Sequence, residues 1–485
     1  MLENNPNNTK PQQKCFKEFC VFRDGASEQS LKEDGLFVGV KIVKTDEPYK
    51  FEPRIFFPRG YRPDLSLSVE GMDAELKADF FRLLSIIGDA LEQNVFPDDE
   101  KDYKKIDFPI HAFFSVLQYY LDYGYFVETE HIYKKGHSGK INWSKTIKNI
   151  KPQVIQDEDG RYNLVYLDLI ARRTNYKEDN LITLIHKFCT YEAAKTVGPL
   201  LGISEDDLEM PEIQFDYELF AETLKDKIAS TFNDKFLELF QSMLAVVNYM
   251  DNKENRAGDG FEISFGFEKF DHAWEMMVDR IFGTVSIDEK RTNYNPSLKH
   301  VAENNQTSEG DDYQEEVGRN AEYKRSTLRP DTIMIRGQDT FVLDSKYYKY
   351  GLTKSPAHLP GAESVCKQMA YAEYVETHWN EISGLDSSNA THFQNDALPK
   401  PIYNAFILPC CAENVKEKFP NAVFSESGLF SMCRVGYIYG DWKNVKDENR
   451  PFHKIHCILL DMKSVMRNYA NNPAAQSELV KLISH

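Results

Sequence analysis

Two aspartates and one lysine in the last third of the chain have the residue types and the spacing of a hydrolytic metal site. Asp331, Asp344 and Lys346 lie in the segment RPDTIMIRGQDTFVLDSKYY, residues 329–348. Mg²⁺ prefers carboxylate oxygens and keeps several waters, and it polarises a phosphate and lowers the pKa of a bound water. We therefore expect Asp331, Asp344 and the backbone carbonyl of Ser345 to hold Mg²⁺ or Mn²⁺.

The apolar runs within this segment predict the strands that position these groups. TIMI, residues 332–335, and FVL, residues 341–343, are two short apolar runs. Side chains alternate between the two faces of an extended strand, so Asp344 and Lys346 are expected on the same side. Lys346 would then orient or deprotonate the attacking water and offset the charge of a phosphate.

This arrangement is the PD-(D/E)xK nuclease pattern, which has low specificity when it is taken alone. A second copy, formed by Pro63-Asp64 and Glu75 to Lys77, satisfies it as well. That copy lies in a predicted helix, where positions i and i+2 do not share a face, and no β run precedes it. The alternative interpretation of Asp344 and Lys346 is an ion pair on an edge strand.

Two predicted helices flank the pattern and supply further candidates. In residues 267–283 an apolar stripe at helical spacing has Glu275 at its edge, and Glu275 is either a metal ligand or a polar boundary residue. In residues 359–379, Gln368 and Tyr371 share a helical face. They are either groups that bind the phosphate of the scissile strand or boundary residues. The apolar stripe of the first helix consists of Phe270, Trp274, Met277, Val278 and Ile281.

The patterns predict a multidomain protein of the α/β (α+β) class, because 485 residues suggest about three domains. We expect a β-rich N-terminal region at 1–100, a mostly helical middle domain at 101–255 and a nuclease domain with a central mixed sheet at 256–485. The segment 285–327 is polar, acidic and without periodicity. We interpret it as a mobile insertion in the last domain.

The composition of the chain limits the choice of binding partners and of cellular compartment. A net charge of −18 argues against general binding to phosphates, but it does not exclude a local basic surface. Residues 131–152 contain six lysines and no acidic residue, and Lys140, Lys145 and Lys148 form either a solvated face or a DNA-binding surface.

Eight cysteines without a CxxC pair indicate reduced core residues rather than zinc ligands. The polar N-terminus and the lack of a long apolar run predict a cytoplasmic protein without a membrane segment.

Several blocks of the sequence resemble the LlaJI-type restriction endonucleases, which are relatives of McrC, the nuclease subunit of the McrBC system. The resemblance covers most of the chain, and the GKINW block is its most specific part. The blocks are FFPRGY at 56–61, SGKINWSKTIK at 138–148, FDHAWEMMVDRIFG at 270–283, RPDTIMI with VLDSKYY at 329–348, LPGAESVCKQMAY at 359–371 and IHCILLDMKSVMRNY at 455–469.

The resemblance implies roles for individual residues. Asp331, Asp344 and Lys346 correspond to the catalytic triplet of the family. Glu275 corresponds to the acidic residue of the preceding helix, and Gln368 to the helix that follows. The wider RecB-like group places three residues between the corresponding glutamine and tyrosine, whereas two separate Gln368 from Tyr371 here, so the role of Tyr371 is not carried over.

The resemblance also implies a substrate and a partner. Such proteins cut double-stranded DNA together with an AAA+ NTPase of the McrB kind, and this chain has no GxxxxGK[ST] phosphate loop of its own. The N-terminal half would dock on the partner, and nuclease domains would pair on activation. The alternatives are a non-catalytic activator of an AAA+ ring and a stand-alone DNA repair nuclease of the same fold.

Overall fold

The computed structural model divides the chain into two compact units, each built from separate stretches of sequence. Unit 1 comprises Met1–Lys41, Arg54–Lys105 and Ser264–His485, and unit 2 comprises Ile42–Pro53 and Ile106–Ile263. All the residues of the proposed metal site belong to unit 1. The structure describes residues 15–23, 37–44, 51–95, 103–106, 108–177, 180–203, 208, 210–211, 213–255, 262–286, 294, 296–302, 315–317, 320–378, 401–425 and 430–484.

The described residues form both strands and helices. In chain order the strands are β1 (Cys20–Val21), β2 (Val38–Lys44), β3 (Phe51–Phe56), β4 (Lys104–Ile106), β5 (Glu128–Lys135), β6 (Lys140–Ile141), β7 (Gln153–Gln156), β8 (Tyr162–Val165), β9 (Ile170–Lys177), β10 (Glu262–Phe267), β11 (Ser297–Ala302), β12 (Glu315–Val317), β13 (Asn320–Thr327), β14 (Thr332–Arg336), β15 (Asp339–Ser345), β16 (Ile402–Cys410), β17 (Val423–Phe424), β18 (Met432–Ile438) and β19 (Ile455–Asp461). The α-helices are α1 (Val69–Glu92), α2 (Ile110–Tyr123), α3 (Trp143–Asn149), α4 (Leu181–Leu201), α5 (Tyr217–Ser230), α6 (Asp234–Asn255), α7 (Asp271–Phe282), α8 (Tyr350–Thr353), α9 (Ala362–Thr377), α10 (Ala412–Lys418), α11 (Met462–Asn468) and α12 (Pro473–Ser484).

A six-stranded mixed sheet lies at the centre of unit 1. Its strand order is β14-β15-β16-β19-β18-β17. The pairs β15–β16 and β16–β19 are parallel, whereas β14–β15, β18–β19 and β17–β18 are antiparallel. The predicted mixed α/β class with a central mixed sheet is therefore confirmed.

A tight turn sets the register of the first two strands of this sheet. Only Gly337 and Gln338 separate β14 from β15, and Gly337 has a φ of 61°, a conformation that L side chains rarely adopt. The turn pairs Arg336 with Asp339 and, at the far end of the hairpin, Thr332 with Leu343. The residues that follow this last pair are therefore held next to each other.

Helices α7 and α9 pack on the strands that carry the site. Helix α7 contacts β14 and β15, and α9 contacts β15, β16 and β19. Val365 and Met369 of α9 are buried against Phe406 and Leu408 of β16. Burial of apolar surface stabilises a fold by roughly 25 cal/mol per Å². This packing therefore holds α9 against the middle of the sheet.

A buried charge network connects α1 to α11 within unit 1. Asp79 of α1 is fully buried, and its carboxylate accepts hydrogen bonds from Arg467 at 2.6 and 2.9 Å and from the hydroxyl of Tyr61 at 2.7 Å. Removing one partner of such a buried charged group lowers the stability of the fold by several kcal/mol, on the order of 3–5. The network therefore holds the N-terminal stretch of unit 1 on its C-terminal stretch.

Unit 2 contains most of the predicted helical middle region. Helices α2, α4 and α6 pack on one another, and α5 packs on α6. The unit also contains a three-stranded sheet of order β5-β9-β6 and the β7–β8 hairpin, which the sequence did not predict. The division into three domains remains a prediction.

The polar segment 285–327, which we expect to be a mobile insertion, contains strands among its described residues. Its described residues include β11, β12 and β13, which form an antiparallel sheet of order β11-β13-β12. Antiparallel pairing satisfies backbone hydrogen bonds without requiring an apolar core, so the low hydrophobicity of the segment does not prevent it. Residues 287–293, 295, 303–314 and 318–319 of this segment lie outside the described residues.

None of the described helices combines the length and the apolar character needed to span a membrane.

Candidate active site

The β14–β15 hairpin brings the two predicted aspartates together. Asp331 immediately precedes β14, and its Oδ2 accepts a hydrogen bond of 2.8 Å from the backbone N–H of Ser345. Asp344 is the preceding residue of the same strand and is 5% exposed. The first aspartate is thus tied to the strand that carries the second.

Lys346 follows the last residue of β15, and its side chain returns to Asp344. The Nζ of Lys346 lies 2.7 Å from Oδ2 of Asp344. Its backbone N–H donates to the carbonyl of Ile407 at 2.9 Å and so extends the ladder between β15 and β16. The two side chains meet on one side, as strand alternation predicts. An edge-strand ion pair does not describe them, since β15 lies between β14 and β16.

Burial and neighbouring charges perturb both members of this pair. Burial, together with the charge of Asp331, raises the pKa of Asp344 well above its usual value, although Lys346 opposes the effect. Burial by itself lowers the pKa of Lys346, but the charges of Asp344, Asp331 and Glu275 outweigh it and raise that pKa. Lys346 is therefore a protonated hydrogen-bond donor at neutral pH.

Glu275 reaches the same site from α7. All five residues of the predicted apolar stripe are buried, and Nε1 of Trp274 donates to the carbonyl of Ile407 at 3.3 Å. Glu275 is at the edge of that stripe and is half-buried. Burial and the charge of Asp331 raise its pKa to about 7, whereas a contact of 3.2 Å between Oε2 and Nδ1 of His272 lowers it. No sequence pattern indicated His272.

The carboxylates of this site suit Mg²⁺ better than they suit a metal whose ligands all come from the protein. Glu275, Asp331 and Asp344 interact as like charges in partly buried surroundings, which favours a bound cation. Within the described residues, however, no three His, Cys, Asp or Glu side chains form a complete metal-binding group. Mg²⁺ is usually held by one or two carboxylates together with waters and substrate phosphates. Two or three carboxylates fit that requirement.

Ser345 lies between the two charged residues of β15. Its backbone N–H is used by Asp331, and its hydroxyl is buried without a hydrogen-bond partner in the described part of the chain. The backbone carbonyl is a candidate metal ligand by its position at the end of the strand.

Gln368 and Tyr371 lie on α9 beneath this strand. Gln368 is 0% exposed, and its Nε2 donates to the carbonyl of Val342 at 2.7 Å and to Oδ1 of Asn404 at 3.3 Å. It therefore braces β15 two residues before Asp344, a role that the sequence did not suggest. Burial, followed by the charges of Asp344 and Asp331, raises the pKa of Tyr371, so its phenol stays protonated beside the carboxylates.

The second copy of the nuclease pattern is occupied by structural contacts. Glu75 lies 2.6 Å from Nζ of Lys463 and 2.9 Å from Nη2 of Arg467, and it accepts a hydrogen bond from the backbone N–H of Asp64 at 2.8 Å. It lies in α1 and belongs to the network around Asp79. Glu75 is therefore in a helix, as predicted, and its carboxylate is paired with two cationic side chains.

The three lysines proposed to bind DNA lie in unit 2. Lys140 is in β6, and Lys145 and Lys148 are in α3, whose first turn is capped by Asn142. All three are exposed, and Nζ of Lys145 lies 3.3 Å from the ring centre of Tyr133. Their exposure agrees equally well with a solvated face and with a DNA-binding surface.

Arg59 contacts the residue that directly follows Lys346, and no local sequence pattern indicates this pairing because the two residues are far apart in the chain. The backbone N–H of Arg59 donates to the hydroxyl of Tyr347 at 2.6 Å, and its Nη1 donates to the carbonyl of Tyr347 at 3.1 Å. The next residue, Gly60, has a φ of 85°, and a Cβ there would lie 2.7 Å from the carbonyl oxygen of Cys410. The FFPRGY block therefore positions the residue that directly follows Lys346.

Comparison with known proteins gives one family and one curated relative. The LlaJI restriction endonuclease family matches residues 89–429. A component of the type II restriction enzyme BsuMI, YdjA of Bacillus subtilis (strain 168), is 26% identical over 263 residues, which is 52% of this chain and 51% of that protein. The chain thus spans about half the length of this relative.

A solved structure also aligns with most of the chain. It is the half-complex of a tetradecameric assembly of Thermococcus gammatolerans McrB AAA+ hexamers with bound McrC. The alignment has a TM-score of 0.33 and 14% sequence identity, and it covers 92% of this chain and 83% of the matched chain.

Proposed function

Because the chain belongs to the LlaJI restriction endonuclease family, we propose that it is the DNA-cutting subunit of a restriction system that acts against phage. The observation that carries this proposal is the convergence of Asp331, Asp344 and Lys346 at the end of the β14–β15 hairpin, with Glu275 reaching the same site. A PD-(D/E)xK nuclease needs two carboxylates and a lysine on adjacent strands, and this hairpin supplies them.

Each side chain has a role that follows from its charge and its contacts. Asp331 and Asp344 would hold Mg²⁺, with Glu275 as a further carboxylate. A bound Mg²⁺ supplies neutralisation of phosphate charge and a more acidic water. Lys346 is charged, so it orients the attacking water and offsets phosphate charge, and its raised pKa argues against its being the base.

The surrounding residues keep this geometry in place. The Ser345 N–H fixes the carboxylate of Asp331, and Gln368 braces β15 from below. Tyr371 keeps its proton beside the two carboxylates and can donate it in a hydrogen bond to a phosphate oxygen. The substrate group that these contacts suit is a phosphodiester of double-stranded DNA.

We further propose that cleavage requires an AAA+ NTPase partner of the McrB kind. The chain lacks the GxxxxGK[ST] loop that a motor needs, and YdjA is described as a component of a restriction enzyme. One site cuts one strand, so a double-strand break calls for two nuclease domains, which would pair in the activated complex.

The test is DNA cleavage in the presence of Mg²⁺. Wild type, Asp344→Asn and Asp339→Asn are each incubated with a plasmid, with and without the AAA+ protein encoded nearby and its nucleotide. Asp339 lies at the start of the same strand and outside the site, so its variant controls for losing an aspartate from β15. We expect the wild type and Asp339→Asn to cut with the partner and Asp344→Asn to be inactive.

Two results would replace the proposal by an alternative. If wild type and Asp344→Asn both stimulate nucleotide hydrolysis and neither cuts, the chain is a non-catalytic activator. If wild type cuts fully without any partner, a stand-alone nuclease describes it better.

A further inference from the structure

A basic cleft in unit 1 is lined by residues that follow Lys346 closely in sequence and by Arg59, which contacts Tyr347. It has a volume of about 280 Å³. A water molecule occupies about 30 Å³ of the liquid, so the cleft has room for a phosphate group and several waters. Its lining residues are Arg59, Tyr348, Lys349, Ala357, His358 and Leu359.

The lining of the cleft carries positive charge. Arg59 and Lys349 are basic, whereas no aspartate or glutamate lines the cleft among the described residues. The chain as a whole has a net charge of −18, so two basic side chains around one cleft without an acidic one are a local exception. A guanidinium and an ammonium are the usual protein groups that bind phosphate.

One lining residue of the cleft contacts the residue that directly follows Lys346. Arg59 is 9% exposed, and its guanidinium donates to the carbonyl of Tyr347 at 3.1 Å while also lining the cleft. His358 is positioned by a contact of 2.7 Å between its Nδ1 and the hydroxyl of Thr353. Lys349 is only three residues after Lys346, so a second lining residue of the cleft is close in sequence to the proposed site.

We propose that this cleft binds a backbone phosphate of the DNA strand next to the scissile phosphate. Arg59 and Lys349 provide the charge, and the ring of Tyr348 provides a flat surface at its rim. The inference rests on the proposed nuclease function, because it assigns to the cleft the neighbouring phosphate of the same substrate. It adds a substrate-positioning group from the N-terminal FFPRGY block, which the nuclease pattern does not include.

The test measures binding of the full-length protein to a labelled DNA duplex in EDTA, where no cleavage occurs, over a series of salt concentrations. Each phosphate contact contributes about 0.9 to the slope of log K against log salt concentration. We expect Lys349→Gln to bind several-fold more weakly and to lose about 0.9 from that slope. Lys349→Arg retains the charge and should restore both values.

Lys481→Gln is the matched control, because Lys481 is an exposed lysine of α12 in the same unit and does not line the cleft. It should leave the slope unchanged. The inference is overturned if Lys349→Gln and Lys481→Gln give the same slope as wild type. It is also overturned if inorganic phosphate binds in a Lys349-dependent way while the DNA slope does not change.

Cleavage by wild type and by Asp344→Asn is measured in parallel to separate the two proposals. If Asp344→Asn loses cleavage and Lys349→Gln has the same salt slope as wild type, the nuclease function is supported and phosphate binding in the cleft is overturned. If Lys349→Gln has a reduced salt slope and wild type does not cleave DNA, binding of DNA in the cleft is supported and the nuclease function is overturned.

Discussion

Replacing Glu275 by glutamine tests whether the carboxylates of the site repel one another in the free protein. Burial and the charge of Asp331 raise the pKa of Glu275 from 4.5 to about 7. The folded protein therefore holds this proton more tightly than the unfolded chain does. Wild-type stability falls as the pH rises from about 4.5, and the loss is complete above about pH 7.

The structure sets the expected magnitude. The interval from 4.5 to about 7 corresponds to about 3 kcal/mol at about 1.4 kcal/mol for each pKa unit. The side chain is 31% exposed, so solvent screening reduces this to about 2 kcal/mol. Glu275→Gln removes the charge and keeps the size, so above pH 7 it should be more stable than wild type by that amount.

The assay is thermal unfolding in EDTA at pH 5 and pH 8.5, followed on the transition of the unit that contains Glu275. At about 2 °C for each kcal/mol, the variant should melt roughly 4 °C above wild type at pH 8.5 and within about 1–2 °C of it at pH 5. Glu417→Gln, which removes an exposed glutamate of α10 in the same unit, is the control and should show no such difference. A Glu275→Gln variant that melts below wild type at pH 8.5 would refute the repulsion argument.

Three further predictions concern the metal and the scaffold. Mg²⁺ at about 100 times its Kd should stabilise the wild type by about 2.7 kcal/mol, which is measured as a higher melting temperature. If the melting temperature of an Asp331→Asn, Asp344→Asn double variant rises equally, Mg²⁺ does not bind at this site. Gly60→Ala should destabilise by about 1–3 kcal/mol in urea titration, because of its positive φ and the nearby Cys410 carbonyl, whereas Gly361→Ala, where a Cβ meets nothing within 4 Å, should be nearly neutral. Gln368→Ala should cost about 1–3 kcal/mol by leaving the buried carbonyl of Val342 without a side-chain donor, and unchanged stability would show that Gln368 does not brace β15.

The parts of the site that could be predicted from sequence are those that depend on local geometry. Asp344 and Lys346 are two positions apart in a strand, so alternation alone places them together. Asp331 follows from the hairpin, because a two-residue turn with Gly337 leaves one register for the two strands. The apolar stripe of α7 fixes which side of the helix is buried and therefore leaves Glu275 at its edge.

The parts that could not be predicted depend on contacts between distant segments. Arg59 and Tyr347 are separated by 288 positions, and no local pattern indicates that they share two hydrogen bonds. Gln368 and Tyr371 share a helical face, yet only the packing of α9 shows that the amide binds a strand carbonyl while the phenol lies near the carboxylates. The strands of segment 285–327 form by backbone pairing, which hydrophobic periodicity does not reveal.

The charge state of Lys346 connects the geometry to the control of the reaction. In the free protein its ammonium is 2.7 Å from Asp344, and the neighbouring carboxylates keep it protonated. A cation bound by Asp331 and Asp344 would compete for the same carboxylate and weaken that ion pair, because like charges at short range disfavour each other. Lys346 would then be released toward the phosphate. On the proposed function, occupation of the carboxylates by a cation and presentation of the lysine to the phosphate would therefore be coupled.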